Sequence, residues 1–382
     1  MKETLSKSSI NWKTVLLMGF AYASLNIGSG FSSGQVPLQN FVSGGGMWTI
    51  ITPFFPIIVI TIFTAWAFNT GRIQSFDNPS EGFEFYCGKT GAKILDVFTL
   101  IVLGVMTTSM YAGSGAAINQ YFGLPVYVGA TFLGAVTVVV VCMGLERVKD
   151  VLGFIGIALV AFIVITSINS FITADVGIME AQKNIPQYVA EGKVIQPGLF
   201  GFKNPFVSPF YYLGCCIITS FPFVIALGKK NIKSTKEAIA SGLSAGFFFS
   251  LAILLISYTI ALNIDYIVAN GVQVPMLTAI SKNMPVLAFI FTIVIICSIF
   301  TTVTGFLWSF ARRFAEDKTT KQRTIVIAIT LIGVFTGSII PFNKFVSVVY
   351  PASGVGGIVL FIYMLIHHIR YLFKRSKIEA KA

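Results

Sequence analysis

Apolar runs that are too long for the core of a soluble domain dominate this sequence. A helix needs about 20 mostly apolar residues to cross a bilayer, because each residue rises about 1.5 Å through about 30 Å of hydrocarbon. Only 11% of the residues are charged, whereas soluble domains have about a quarter. The lipid bilayer is therefore the expected environment of most of the chain. We predict ten spans, near 14–42, 47–69, 94–118, 125–145, 150–173, 208–228, 236–262, 284–311, 323–340 and 343–370.

The basic residues are distributed unevenly between the two sides of these spans. With the N-terminus inside, all but five of the 27 Lys and Arg residues fall in cytoplasmic segments; the five on the outer side are Lys183, Lys193, Lys203, Lys282 and Lys344. The positive-inside rule therefore predicts a multi-pass protein of the plasma (inner) membrane with both termini in the cytoplasm. The net charge of +12 lies in short clusters between spans rather than among aromatics on one face, so we expect no nucleic-acid partner.

The chain divides evenly around one long polar stretch. Five spans (14–173) precede an outer loop (174–207), and five more (208–370) follow it before a basic cytoplasmic tail (371–382). Because each half has an odd number of spans, the two halves have opposite orientations in the membrane. This is the pattern of an inverted-topology repeat in transporters. We predict one all-α transmembrane domain of ten helices in a 5+5 inverted repeat. Short helices are expected in the outer stretches 174–207 and 263–285, because long structureless loops are uncommon.

The first span has an unusual polar segment at its middle. Between Asn26 and Gln35 lie three glycines and three serines. Glycine costs about 1 kcal/mol relative to alanine in a helix, and an unwound turn frees backbone groups that lipid cannot satisfy. We therefore predict a discontinuous helix that lines a polar cavity. Close helix packing through Gly30 and Gly34 is the alternative; it explains the glycines but not the polar side chains.

The sixth span has a proline in a corresponding place. Pro222 removes a helix donor and disturbs the preceding turn, so the backbone around Thr219, Ser220 and Phe221 is predicted to open as a second discontinuous helix. A simple proline kink is the alternative. The two broken helices would face each other across a binding site.

Three stretches of the sequence resemble a known family. They are GSGFSSGQ (28–35), MYAGSGAAINQYFGLP (110–125) and IFTTVTGF (299–306). They resemble the YkvI-type bacterial membrane proteins, which are similar to the amino acid–polyamine–organocation superfamily with the LeuT-type fold. The first span also resembles that of sodium-coupled amino-acid transporters, in which an Asn likewise precedes a Pro by eleven residues, as Asn26 precedes Pro37.

The resemblance implies a site for a small solute and one for a coupling ion. Carbonyls of Leu25 and Gly28 and hydroxyls of Thr301 and Thr302 would bind Na⁺, which accepts neutral oxygen ligands; hydroxyls bonded back to their own helix are the alternative. Tyr111 would lie near a substrate carboxylate, or serve as a buried structural tyrosine. The predicted substrate-binding residues are Asn26, Ser29, Gly30, Phe31, Ser32, Ser33, Gln35, Tyr111, Thr219, Ser220 and Phe221.

Two departures from the related transporters bear on function. Gln35 stands where the amino-acid transporters have a gating arginine, and Val36 stands where YkvI-type proteins often have an acid. Few ionisable residues lie at mid-membrane depth, which favours Na⁺ over proton coupling. The sequence predicts an ion-coupled symporter of a small amino-acid-like or zwitterionic solute, without a cofactor other than the coupling ion. A non-transporting sensor or accessory protein and a channel are the alternatives. An enzyme is not expected, since no nucleophile–base pair or paired carboxylates share one depth.

Overall fold

The computed structural model describes residues 10–199, 202–270, 274–283, 285–340 and 342–379. The predicted cytoplasmic ends, 1–9 and 380–382, lie outside these residues. The described helices are α1 (Trp12–Asn26), α2 (Ser29–Ser32), α3 (Gln35–Pro37) with a π-helical turn (Leu38–Val42), α4 (Gly46–Ile51) with a 3-10 turn (Thr52–Phe54), α5 (Phe55–Gln74), α6 (Glu81–Phe122), α7 (Val126–Cys142), α8 (Leu145–Ile172), α9 (Ile178–Ala181), α10 (Ile185–Ala190), α11 (Ser208–Asn231), α12 (Thr235–Leu262), α13 (Ile264–Asn270), α14 (Pro275–Asn283), α15 (Pro285–Ala311), α16 (Thr320–Ile339) and α17 (Phe342–Glu379).

Eight helices in the described part of the chain are long and apolar enough to cross a membrane. The predicted fourth span is the shorter apolar helix α7, and the predicted first span is interrupted after Asn26. The helices thus follow the predicted order of spans, while the count of ten stays a prediction.

The two outer stretches contain the short helices that their length predicts. Helices α9 and α10 lie in the first stretch, and α13 and α14 lie in the second. The all-α prediction is confirmed for the fold, and the described part of the first stretch adds a two-residue antiparallel ladder between β1 (Gly198–Leu199) and β2 (Phe202–Lys203). This two-residue pairing lies in the outer loop, where backbone groups outside the helices need other partners.

The membrane helices pack in pairs, some within one half of the chain and some between the two halves. Helix α1 packs on α8 and α12, and α11 packs on α17 and α5. Between them, α5 packs against α12. Helix α11 lies at the centre: 94% of its most apolar window is buried inside the protein, so it contacts other helices rather than lipid.

The prediction that the sixth span is discontinuous is wrong for this structure. Helix α11 runs unbroken through Pro222 from Ser208 to Asn231. The hydroxyls of Thr219 and Ser220 bond to the carbonyls of Cys215 and Cys216 at 2.7 and 2.5 Å. Neighbouring helices that bury a membrane helix let it tolerate proline. The proline-kink alternative is therefore closer to the structure, although no dihedral break occurs.

Asp317 joins three helices at the predicted cytoplasmic end. Its carboxylate accepts the Leu145 N–H at the start of α8 (3.0 Å) and the Trp308 Nε1–H of α15 (2.9 Å). It also accepts the side-chain amide of Gln322 on α16, at 3.3 Å. Trp308 is fully buried, so its indole N–H has to be satisfied inside the protein.

Replacing Asp317 by alanine is expected to destabilise the bundle. Three donors would lose a charged acceptor, and one such hydrogen bond contributes about 1.5–3 kcal/mol. The melting temperature of detergent-purified Asp317→Ala should fall clearly below that of Glu316→Ala, a matched control whose carboxylate is exposed on the adjacent residue. Equal melting temperatures in the two variants would contradict the role of Asp317.

Candidate functional site: a broken helix in the membrane core

The first membrane segment is interrupted at two glycines. Helix α1 ends at Asn26, and Gly28 is extended, with φ −86° and ψ −165°. Gly34 then takes a left-handed conformation with φ +88°, which favours glycine because a Cβ is strained there. The intervening residues form the short turn of α2. The segment 26–34 is therefore not a continuous helix. The sequence predicts a discontinuous helix at this place.

The freed backbone groups at the break bond to polar partners inside the protein. The Asn26 carbonyl accepts the hydroxyl of Tyr212 at 2.8 Å, and the Asn26 side chain donates to the Tyr22 carbonyl at 3.0 Å. The Gly28 carbonyl accepts the Ser32 N–H at 2.8 Å and the Ser32 hydroxyl at 3.0 Å. All of these residues are buried. The hydrogen-bond partners of the freed backbone groups are therefore supplied by the protein, since lipid cannot supply them.

Hydroxyls of α15 approach the same break from the other half of the chain. Thr301 Oγ1 donates to the Ser24 carbonyl across the interface (3.0 Å) and lies 2.8 Å from the Ser298 carbonyl of its own helix. Thr302 Oγ1 contacts the Ser24 carbonyl at 3.4 Å. Hydrogen bonding of a hydroxyl to its own helix therefore accounts for the contact between Thr301 and Ser298, but not for the two contacts with Ser24. The Ser298 hydroxyl donates to the Ser32 hydroxyl at 2.7 Å.

These atoms form a buried cluster of neutral oxygens. Thr302 also lies beside Gly28, since a Cβ built on that glycine would be 2.9 Å from Thr302 Oγ1. Leu25 packs its side chain against Gly305 of α15. Hard cations bind oxygen ligands, and carbonyls and hydroxyls supply them here without a fixed negative charge. Of the four predicted ion-site residues, Thr301 and Thr302 thus contact the Ser24 carbonyl, Gly28 lies beside Thr302, and Leu25 reaches α15 through its side chain.

A narrow cavity lies next to this cluster. Its volume is about 10 Å³, which holds about one water molecule. Phe31 stacks on Tyr212 with ring centroids 6.1 Å apart, and Tyr212 stacks on Tyr350 at 6.4 Å. None of the described residues that line the cavity carries a charge; they are Asn26, Gly28, Phe31, Met106, Met110, Tyr212, Cys215, Cys216, Thr219, Thr302, Phe306 and Tyr350.

On the predicted outer side, α14 is bonded to the broken segment. The Met276 N–H donates to the Ser33 carbonyl at 3.0 Å, which attaches α14 to the broken segment. In the outer loop, the Tyr188 hydroxyl of α10 donates to Asp265 of α13 at 2.8 Å. This hydrogen bond raises the pKa of Tyr188. Gln35 accepts the side-chain amide of Gln39 at 3.1 Å.

On the predicted cytoplasmic side, two cationic side chains bond to the segment between α5 and α6. Lys229 Nζ donates to the Phe76 carbonyl at 2.8 Å, and Arg312 donates to the Asp77 carbonyl at 2.9 Å. A vestibule of about 270 Å³ lies on this side and is lined in part by Lys230. The vestibule on the predicted cytoplasmic side is thus much larger than the cavity beside the break.

Three of the predicted substrate-binding residues line the cavity and a fourth lies beside it. Asn26, Phe31 and Thr219 line it, and Gly30 lies beside the Tyr350 hydroxyl. Ser29 and Ser33 line a separate, somewhat larger space of about 30 Å³ between α2, α6 and α15.

Tyr111 and Phe221 are not brought to the cavity. The Tyr111 hydroxyl is 3.2 Å from Thr330 Oγ1 on α16, which fits the structural alternative. Phe221 packs on Phe83, with ring centroids 4.6 Å apart. Ser220 bonds within α11 and does not line the cavity.

Sequence reasoning missed the tyrosines and sulfur-containing residues of the cavity. Tyr212 and Cys216 precede Thr219 by seven and three residues, so they share its helix face, and this spacing could have identified them. Tyr350, Met106 and Met110 reach the cavity only through packing between helices that are distant in the sequence.

Comparison with solved structures defines the class of fold. The structure superposes on a Na⁺-coupled sialic acid symporter in a substrate-bound outward-open state with a TM-score of 0.62, at 14% identity, covering 92% of this chain and 78% of the other. It superposes on MhsT in complex with L-phenylalanine with a TM-score of 0.59, at 15% identity and coverages of 90% and 87%. The chain therefore has the LeuT-type fold of these membrane transporters.

In sequence the chain is similar to two proteins of Bacillus subtilis (strain 168). It is 22% identical to the membrane protein YkvI over 351 residues, which are 88% of this chain and 91% of YkvI. It is 25% identical to YyaD over 388 aligned positions, with coverages of 96% and 98%. Both are described as uncharacterized. No family model matches the chain. The predicted resemblance to YkvI-type proteins with the LeuT-type fold is confirmed.

Adding a methyl group at Gly28 is expected to disturb the break. The Cβ of Gly28→Ala would lie 2.9 Å from Thr302 Oγ1 and 3.1 Å from Met110 Sδ, and overpacking typically costs about 1–3 kcal/mol. The melting temperature of this variant should fall by several degrees. Gly177→Ala is the control, because its Cβ would meet nothing within 4 Å; a fall of the same size there would contradict tight packing at Gly28.

Proposed function

We propose that the chain is an ion-coupled secondary transporter, a symporter that carries a small solute by alternating access. The observation that carries this proposal is the hydrogen bond from Thr301 of α15 to the Ser24 carbonyl beside the buried break of the first segment. It joins the two halves of the chain at a cluster of neutral oxygens. Solved structures with this fold include a Na⁺-coupled symporter, which supports the same class of activity.

Na⁺ is the proposed coupling ion. The carbonyls of Leu25 and Gly28 and the hydroxyls of Thr301 and Thr302 would bind it. In the described residues there is no group of three or more His, Cys, Asp or Glu side chains that could bind a metal, so a transition-metal site has no support there. Neutral oxygens compensate for the dehydration of a monovalent cation without the charge that a divalent cation usually requires.

The proposed solute is small, amino-acid-like or zwitterionic, and without net charge. The described residues around the cavity are neutral, and burying an unpaired charge among them would be costly. The rings of Phe31, Tyr212 and Tyr350 would contact its apolar part, while Asn26 and Thr219 supply polar groups. Since the cavity holds only about one water molecule, the solute would enter a more open state.

Alternating access would use the helix pairs seen in the fold. Helices α1 and α12 pack together, as do α11 and α5, and α5 joins the two pairs through α12. These four helices would move as a group against the rest. Each pair joins one helix from each half, as two inverted repeats, 14–173 and 208–370, would; the proposal includes ten spans with both termini in the cytoplasm.

Sodium-dependent stabilisation tests the ion site. A ligand that binds only the folded state raises the melting temperature. Na⁺ should therefore stabilise the wild-type protein relative to K⁺ at equal ionic strength, and Thr301→Val with Thr302→Val should abolish the difference. Thr304→Val is the matched control, because its hydroxyl bonds only to the Phe300 carbonyl of the same helix. Loss of the sodium effect in Thr304→Val, or its persistence in the double variant, would contradict the proposed ligands.

Uptake into proteoliposomes separates transport from the alternatives. A panel of neutral amino acids and other zwitterions would be screened for thermal stabilisation in Na⁺, and each stabilising solute would be tested for accumulation driven by a Na⁺ gradient. Binding without accumulation would favour a sensor or accessory protein. Ion current without a solute gradient would favour a channel.

A further inference from the structure

A second cavity lies at the predicted cytoplasmic edge of the bundle, away from the candidate transport site. Its volume is about 550 Å³. The start of α6 forms one wall and the last turns of α17 form the other. The lining residues are Tyr86, Cys87, Gly88, Tyr363, Ile366, His367, Arg370 and Tyr371.

One face of α17 supplies most of the polar groups. Tyr363, His367, Arg370 and Tyr371 follow one another at spacings of four, three and one residues, so they lie on neighbouring positions of one helix face. In the described part of the chain, no carboxylate forms an ion pair with Arg370. The Nδ1 atom of His367 is buried and has no hydrogen-bond partner among the described residues.

The wall formed by α6 is open because its helix breaks at this point. Gly88 interrupts α6 with φ +68° and ψ 175°, and nothing lies within 4 Å of a Cβ built on it. Lys89 is the next residue and is exposed. The described lining residues contain one permanent cation and no acid; the acid of α6 that comes nearest in sequence, Glu84, is not among them.

The aromatic residues around the cavity are typical of the lipid headgroup region. Trp66 stacks on His368 with ring centroids 3.9 Å apart, and Tyr363 and Tyr371 are exposed. Tyrosine and tryptophan concentrate at the membrane–water interface. Ile366 is exposed on the same face, so the cavity offers apolar and aromatic surface as well as charge. Free phosphate would gain nothing from that surface, whereas a phospholipid would use all of it.

We propose that this cavity binds the phosphate headgroup of an anionic phospholipid of the cytoplasmic leaflet. Arg370 donates to the phosphate oxygens and His367 supplies a further hydrogen bond, while Tyr363, Tyr371 and Ile366 contact the glycerol and upper acyl chains. Basic pockets between membrane helices on the cytoplasmic side recognise anionic lipids in this way. The proposal rests on the cytoplasmic placement of the end of α17 and is independent of the solute.

Lipid binding to the detergent-purified chain tests this site. Native mass spectrometry would compare phosphatidylglycerol with phosphatidylcholine, and inorganic phosphate would be added as a competitor. The wild type should bind phosphatidylglycerol about tenfold more tightly than phosphatidylcholine, a difference of about 1.4 kcal/mol. Millimolar inorganic phosphate should not displace it. Equal binding of the two lipids, or displacement by phosphate alone, would overturn the assignment.

Two variants and one control locate the binding to this cavity. Arg370→Gln should remove most of the preference for phosphatidylglycerol, and His367→Gln should reduce it less. Lys321→Gln is the control, because it removes one positive charge from an exposed position at the predicted cytoplasmic end of α16 and should leave the preference within twofold. Lipid-free melting temperatures verify that each variant is folded. An equal loss in Lys321→Gln and Arg370→Gln would show general charge attraction and refute a site at Arg370.

Discussion

The requirement that backbone groups in the membrane core find partners governs this structure. The helix of the first segment ends at Asn26 and leaves polar groups that lipid cannot satisfy. Tyr212 of α11 bonds to the Asn26 carbonyl, and Thr301 of α15 bonds to that of Ser24. The two distant helices are therefore held against the break by the groups that it exposes. The same contacts bring together the oxygens and rings of the proposed binding site.

The central cavity and the predicted cytoplasmic ends of the helices differ in their charge. The described lining of the central cavity is neutral, whereas Asp317 accepts hydrogen bonds from three helices at their ends. Burying a charge in apolar surroundings is far more costly than burying a hydrogen-bonded neutral group. The proposed binding of a monovalent cation would use carbonyls and hydroxyls at the centre, while Asp317 stabilises the bundle at its periphery.

Sequence patterns predicted local features better than the partners of side chains. The interruption of the first segment follows from glycine and serine at mid-membrane depth, and the structure contains it. Pro222 gave the wrong expectation for α11, because a proline removes one donor but buried neighbours can hold the helix together. Tyr111 bonds to Thr330 on α16, a residue more than 200 positions away. No local pattern specifies such a contact.

The sequence by itself determined that this chain lies in a bilayer, the order of its helices and the place where the first one breaks, because hydropathy and helix propensity are local properties. Only the tertiary structure decided that Tyr212 and Tyr350 face the cavity while Phe221 packs on Phe83. It also decided that α11 is continuous. These outcomes depend on how helices from opposite halves rotate and pack, and close packing of side chains across several helices sets that geometry.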